Sequence, residues 1–269
     1  MSHLLVKKNN DNLTSLDITP ASANWRYVGF ALQNLKAGSS VSFDTGTREV
    51  LVVIVGGMVT VKAGQALFEK VGQRETPFKS SLPYAVYVPP GHTVEVTAET
   101  DAEVAQCSAE DAEGKYPIRL VTPDDMIAED RGEGSNQRRI HNILMLDQVA
   151  ERLLVTEVIT PSGNWSSYPP HKHDTDELPR ESYLEETYYH RIDPASGFVF
   201  QRVYNDDRSL DETISAGDGD CVLVPEGYHP VGVPHGYTSY YLNVMAGPKR
   251  AWKFHNDPDH EWIFEAQQS

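Results

Sequence analysis

Cysteine, basic charge and long apolar runs are all scarce in this chain, and each scarcity excludes something. Two cysteines in 269 residues cannot build a disulfide framework. Cys107 and Cys221 both lie in or beside apolar, strand-like runs, and two buried thiols fit a reducing compartment. No apolar run approaches the roughly 20 residues needed to cross a bilayer. The opening MSHLLVKKNN carries no apolar core and no cleavage site of a signal peptide, so a cytoplasmic protein without membrane contact is expected. Lysine and arginine number 23 against 39 aspartates and glutamates, a net charge of −16. That balance argues against a general nucleic-acid binder, which needs a basic surface. The acidic residues are spread along the chain, as solubility requires. Helical periodicity is weak everywhere, and only residues 144–151 suggest a short helical turn.

What is present is strand. Runs rich in β-branched and aromatic residues occur at 41–43, 49–55, 58–61, 85–88 and 93–97, separated by Gly, Pro and Asp-Thr-Gly turns. The rhythm returns at 153–159, 186–189, 197–203, 221–224 and 239–245. Short strands at regular spacing predict an all-β sandwich or barrel. The halves also resemble each other. Pro89-Pro-Gly91-His92 matches Pro225-Glu-Gly227-Tyr, and the run from Glu49 is matched to the run from Glu186. A weak repeat of about 130 residues predicts two copies of one β domain. The expected division is a first domain over 1–125, a polar linker over 126–139 and a second domain over 140–269.

The chemistry-bearing residues concentrate in the second copy. His171-Lys-His173 on an extended strand puts both imidazoles on one face, because side chains alternate with period two. A Glu on the next strand and His229, after the Pro225-Glu-Gly227 turn, can complete a set of three imidazoles and a carboxylate. Such a set suits a divalent transition ion. Glu181, Glu185 and Glu186 are all candidates for the carboxylate. Glu186 is preferred because Glu186, Tyr188 and His190 share one face of their strand and Glu185 points the opposite way. The first copy has Asp44 and Thr45 where paired histidines would be needed, so Glu49 and His92 are expected to be structural and that copy metal-free.

These motifs resemble the cupin superfamily. Gly163, His171-Lys-His173, Glu186 and Gly197 follow its first motif, and Gly219, Pro225-Glu-Gly227 and His229 its second. The Glu lies farther from His173 than is usual, because a polar segment is inserted after it. That segment, with Leu-Glu-Glu-Thr-Tyr-Tyr-His-Arg, Gly-Tyr-His-Pro and Ala-Gly-Pro-Lys-Arg-Ala-Trp, narrows the resemblance to bacterial 5-deoxy-glucuronate isomerases of myo-inositol breakdown, relatives of 5-keto-4-deoxyuronate isomerase. The resemblance covers essentially the whole chain and implies a bicupin: tandem jelly-roll domains with a metal in the second. Carried over position by position, the ligands become His171, His173, Glu186 and His229.

The activity implied is an aldose–ketose isomerisation of 5-deoxy-D-glucuronate to 5-dehydro-2-deoxy-D-gluconate. That reaction needs a proton moved between adjacent carbons and positive charge near two oxygens, which Zn²⁺ or Mn²⁺ can supply without redox change. Tyr188, His190 and Tyr241 are the candidate proton carriers, with Glu181 and Lys253 as further candidates. The substrate carboxylate calls for a cation; Arg180, Arg202 and Lys253 are the candidates, with Arg191, Lys249 and Arg250 nearby. The partner implied is a small anionic sugar acid, with no nucleic acid and no membrane, and a homo-oligomer is expected. The alternatives are a cupin dioxygenase using Fe²⁺ and a non-enzymatic sugar-acid binder.

Overall fold

The computed structural model describes residues 2–9, 13–79 and 81–266. Strands dominate, and the helices are short, such as Pro20–Ala23 and Trp262–Ala266. Residues 144–151 form a turn, closed by the Gln148 amide donating to the Met145 carbonyl, and no helix. None of the described helices is long and apolar enough to cross a membrane.

Each half of the chain builds a large and a small sheet facing one another. In the first half the large sheet runs Arg119–Val121, Tyr84–Val88, Glu49–Gly56, Ala102–Ala109, Val28–Leu35 and Thr14–Ile18 in spatial order. It faces Ser40–Asp44, Thr93–Ala98, Val59–Ala63 and Ala66–Val71. In the second half the order is Leu5–Val6, Cys221–Val224, Glu185–Asp193, Thr238–Ala246, Leu154–Thr160, Arg138–Leu144 and Ile127–Arg131. Opposite lie Trp165–Ser166, Val231–Gly232, Phe198–Tyr204 and Asp211–Gly217. All pairing is antiparallel.

The two large sheets pack back to back, so the central strands are buried on both faces. This is why Glu49–Gly56 reads as an unbroken apolar run. Val50, Val52 and Ile54 fill the first barrel. Leu51, Val53 and Val55 turn outward into a third core shared with Leu153, Val155, Tyr189, Leu223, Leu242 and Val244 of the second half. Cys107 and Cys221 lie in this shared core as free thiols. Each fully buried aliphatic side chain there contributes about 1.5–3 kcal/mol, so the shared core holds the two halves together.

Polar contacts cross this interface. The Arg74 guanidinium grips both Glu157 carboxylate oxygens at 2.7 Å, and Glu157 also meets His141 Nδ1 at 2.7 Å and accepts from the Tyr240 hydroxyl at 3.0 Å. Burial favours a neutral Glu157, but the Arg74 charge and hydrogen bonds prevail and hold its pKa down at about 2. Two further carboxylates form a reciprocal pair. Glu185 of the second half accepts the backbone N–H groups of Arg26, Tyr27 and Val28 at 2.7, 2.7 and 3.0 Å. Glu49 of the first accepts those of Glu151, Arg152 and Leu153 at 2.9, 2.5 and 2.5 Å.

That reciprocity corrects the internal alignment. Val50 pairs with Val88, just before Pro89, whereas Glu186 pairs with Val224, just before Pro225. Glu49 therefore corresponds to Glu185, and Val50 stands where the second barrel has Glu186. The strand pairing also differs from the expected division in two places. Leu5–Val6, near the N-terminus, joins the second large sheet beside Cys221–Val224. Ile127–Arg131, within the stretch read as a linker, is that sheet's far edge, hydrogen-bonded to Arg138–Leu144.

Candidate metal centre and cavity

The strand His171–Lys172 pairs with His255–Asn256. Alternation turns His171 and His173 inward, and Lys172 outward to Asp174 and Asp206 at 3.0 and 2.7 Å. His229 follows Gly227, whose φ of +86° is disfavoured for other residues. A Cβ there would also lie 2.4 Å from the Tyr204 carbonyl oxygen. Glu186 comes inward on Glu185–Asp193, and Glu185 turns the other way, to the interface described above.

These residues converge. The ligating nitrogens of His171, His173 and His229 all lie within 4.8 Å of one another. Glu186 Oε2 is 3.0 Å from His173 Nε2 and 3.2 Å from His229 Nε2. His173, His229 and Glu186 are buried. Nδ1 of His173 faces the Leu184 carbonyl at 3.0 Å, and Nδ1 of His229 faces the Gly227 carbonyl at 2.8 Å. A carbonyl only accepts, so both Nδ1 atoms carry hydrogen and both Nε2 lone pairs point at the cluster. His229 Nε2 is buried without a hydrogen-bond partner.

The electrostatics agree with a cation-binding role. Burial, with the neighbouring His229 and His173, pushes the His171 imidazole well below its usual range. Burial opposes charge on Glu186, but its contacts with the His173 and His229 imidazoles hold its pKa down at about 2. Burial likewise opposes charge on His173, and contact with Glu186 outweighs it and raises that imidazole. Three imidazole lone pairs and an ionised carboxylate aimed at one point fit a divalent transition ion.

The cluster opens on a cavity of about 290 Å³. Its wall is the inner face of the second large sheet: Glu186 and Tyr188, then Tyr241, Asn243 and Met245, then Thr156 and Val158, then Arg138, Ile140 and Asn142, then Ile127 and Arg131. Ser167, His171 and Trp252 close it. The Tyr188 and Tyr241 hydroxyls both approach Ser167 Oγ, at 2.9 and 3.4 Å.

The structure brings the expected ligands together with Tyr188 and Tyr241, and places the other candidates elsewhere. His190 does not line the cavity. It lies behind the tyrosines, stacked on Tyr188 with ring centroids 6.0 Å apart, and its Nε2 meets Gln201 Oε1 at 2.9 Å. Burial depresses its pKa to about 4. Glu181 accepts the N–H groups of Asp174 and Thr175 at 2.8 and 3.0 Å, bracing the inserted hairpin.

The expected carboxylate clamps are engaged away from the cavity. Arg180 is exposed and paired with Glu177. Arg202 is paired with Asp211 on the barrel exterior at 2.7 Å. Lys253 is exposed, its backbone bonded to Ser182. Arg191 pairs with Glu103 and Asp218, Lys249 with Asp176, and Arg250 donates to backbone carbonyls. The cations that do line the cavity, Arg138 and Arg131, lie in the stretch read as linker. The alternation Arg138-x-Ile140-x-Asn142 was the available signal.

Residues 4–263 match the KduI/IolB family. The chain belongs to the KduI/IolB family. Relatives within it include the 5-deoxy-glucuronate isomerase of Geobacillus kaustophilus, 51% identical over 269 residues, covering 99% of this chain and 97% of that one. The Bacillus subtilis strain 168 protein of the same name is 50% identical over 271 residues, covering 98% and 100%. An IolB-like crystal structure from Salmonella typhimurium LT2 superposes with a TM-score of 0.95 at 49% identity, covering 97% of this chain and 99% of that one. The oxalate decarboxylase of Lactobacillus farciminis matches with a TM-score of 0.67 at 13% identity, covering 98% and 91%. That likeness concerns the fold, which is a tandem cupin.

Proposed function

We propose that this KduI/IolB member is a metal-dependent isomerase that converts 5-deoxy-D-glucuronate to 5-dehydro-2-deoxy-D-gluconate. The observation that carries the reading is the convergence of His171, His173, His229 and Glu186 at a cavity that also holds two phenols and two arginines. The names of relatives at about half identity over the full chain support it.

The reaction moves the proton of the hydroxyl-bearing carbon to the neighbouring carbonyl carbon and the hydroxyl proton to the carbonyl oxygen, and no net oxidation occurs. His171, His173, Glu186 and His229 would hold the ion, Zn²⁺ or Mn²⁺, and when bound it supplies a Lewis acid to two adjacent substrate oxygens. The chain's own residues do the rest. Tyr188 and Tyr241 hold protons at their hydroxyl oxygens and present them toward the cavity beside Ser167, where they can donate to substrate oxygens as charge develops. Ile140, Val158, Met245 and Trp252 exclude water from the reacting carbons. His190 and Gln201 set the position of the Tyr188 ring from behind. The first barrel serves as the packing partner that holds the second large sheet in shape.

The test is turnover of 5-deoxy-glucuronate with metal analysis, before and after chelation, alongside an oxygen electrode. Turnover that falls with metal content and returns on reloading, without oxygen uptake, is expected. Full turnover by metal-free protein, or none by loaded protein, overturns the reading.

A further inference from the structure

We propose that Arg138 binds the substrate's carboxylate and so selects sugar acids over neutral sugars. The assignment rests on the sugar-acid isomerase reading above and deepens it. Alternation on Arg138–Leu144 sends Arg138, Ile140 and Asn142 into the cavity. Arg139 and His141 take the other face, toward Asp130 and Glu157. Arg138 begins the strand opposite Arg131.

Its guanidinium has spare donors. Among the described residues it forms no ion pair, and its one hydrogen bond runs from NH1 to the Asn136 carbonyl at 2.9 Å. Arg131, by contrast, is paired with Glu129 at 2.6 Å. The backing loop leaves room for the fork: a Cβ on Gly132 would lie 2.8 Å from Arg138 NH1. A largely buried arginine with one backbone partner and no carboxylate is unusual in a chain of net charge −16, and a carboxylate arriving in the cavity completes it.

The cavity offers different groups to the two ends of such a substrate. A hexuronic acid carries its reacting carbons at one end and its carboxylate at the other, five C–C bonds of about 1.5 Å away. Glu186 of the histidine cluster and Arg138 line one cavity wall from strands three places apart in the large sheet. The carbonyl end then meets the histidine cluster while the carboxylate meets Arg138. A planar, bidentate partner also orients the chain between them, which a point charge does less well.

The test compares the wild type with Arg138→Met and Arg138→Lys, with Lys36→Met as a remote charge control. Binding is measured calorimetrically with a hexonate, glucuronate reduced at its aldehyde, which cannot isomerise. Turnover is measured with 5-deoxy-glucuronate and with its neutral counterpart, 5-deoxy-glucose. Arg138→Met is expected to weaken hexonate binding and raise KM for the acid by about 100-fold, with kcat changed far less. It should keep the wild-type metal content and lose the preference for acid over neutral sugar. Arg138→Lys, which keeps charge and bulk, should fall between, and it carries the test if the methionine variant does not accumulate. Hexonate binding and KM in either variant matching those of the Lys36→Met control overturn the proposal. Failure of the isomerase reading shows differently: no wild-type turnover, while hexonate binding still depends on Arg138.

Discussion

The two barrels share the order of their central strands but differ along the inner face of one of them. In the first barrel that face reads Val50, Val52, Ile54, and in the second Glu186, Tyr188, His190. The corner beyond the Pro-x-Gly turn differs as well. In the first barrel the Thr45 hydroxyl accepts from the His92 N–H at 3.0 Å and donates to the Pro89 carbonyl at 3.1 Å, tying the corner shut. In the second, His229 Nε2 is buried without a hydrogen-bond partner. Each unpartnered buried polar group costs about 1–3 kcal/mol, and each buried aliphatic side chain gains about 1.5–3 kcal/mol. One copy of the fold thus maximises stability, and the other sacrifices some to aim donors at one point. Their reciprocal contacts, Glu49 and Glu185, let the first support the second.

The largest effect should come from removing ligands. His171→Ala or His229→Ala is expected to abolish metal binding and lower kcat at least about 1,000-fold, near the loss of a principal electrostatic group, while the fold persists. Glu186→Gln should weaken metal binding, and Glu185→Gln should leave it unchanged. Elemental analysis and circular dichroism on the same samples decide this. Full metal occupancy in His229→Ala would erase the asymmetry between the barrels.

The interface comes next. Arg74→Met strands a buried carboxylate and should cost about 3–5 kcal/mol, read from the urea midpoint. The pH dependence has a definite sign. The Glu157 pKa is depressed from an ordinary 4.5 to about 2. Its stabilising contribution is therefore present above about pH 4.5 and is lost as pH falls toward about 2. Wild type should weaken across that window, and Glu157→Gln should be less stable at pH 7 with a flatter profile between pH 5 and 2. Parallel wild-type and Glu157→Gln profiles would place the acid sensitivity elsewhere.

A smaller effect tests the symmetry itself. Glu49→Gln and Glu185→Gln each weaken a carboxylate that accepts three backbone N–H groups from the other half. Each should cost about 2–3 kcal/mol, on the scale of charge-assisted hydrogen bonds, with metal content unchanged. Unequal costs would show that one half depends on the contact more than the other.

These particular residues also show what the sequence could and could not reveal. The tandem β architecture and the inward set of His171, His173, Glu186 and Tyr188 were legible because strand periodicity is local. The choice of Glu186 over Glu185 followed from the same alternation. Glu185 itself was legible only as the outward neighbour, since its partners, the amides of residues 26–28, lie more than 150 positions away. The match of Glu49 to Glu186 was one residue off because two adjacent glutamates begin the second strand and only one begins the first. Arg138 was missed because it follows a polar edge strand and glycine-rich turns, a stretch with the composition of a linker. His190 was overrated because period two gives its face but not its depth behind Tyr188.

The smallest expected effect is at His92, and it bears directly on whether the first barrel is inert. His92 corresponds to Tyr228, not to His229, since each lies four residues beyond the strand residue that pairs with Val50 or Glu186. Its imidazole rests near Gly64, where an added Cβ would be 3.0 Å from Nδ1 and 3.5 Å from Ile118. Its backbone, not its ring, is what Thr45 holds. His92→Ala should therefore leave metal content at one ion per chain and shift stability by no more than about 0.5 kcal/mol, the range of ordinary surface substitutions. Thr45→Val, which removes the hydroxyl from a buried corner, should cost about 1–3 kcal/mol and likewise leave metal and turnover alone. A second ion per chain in the wild type, or lost turnover in a stably folded His92→Ala protein, would show that the first barrel holds a functional site.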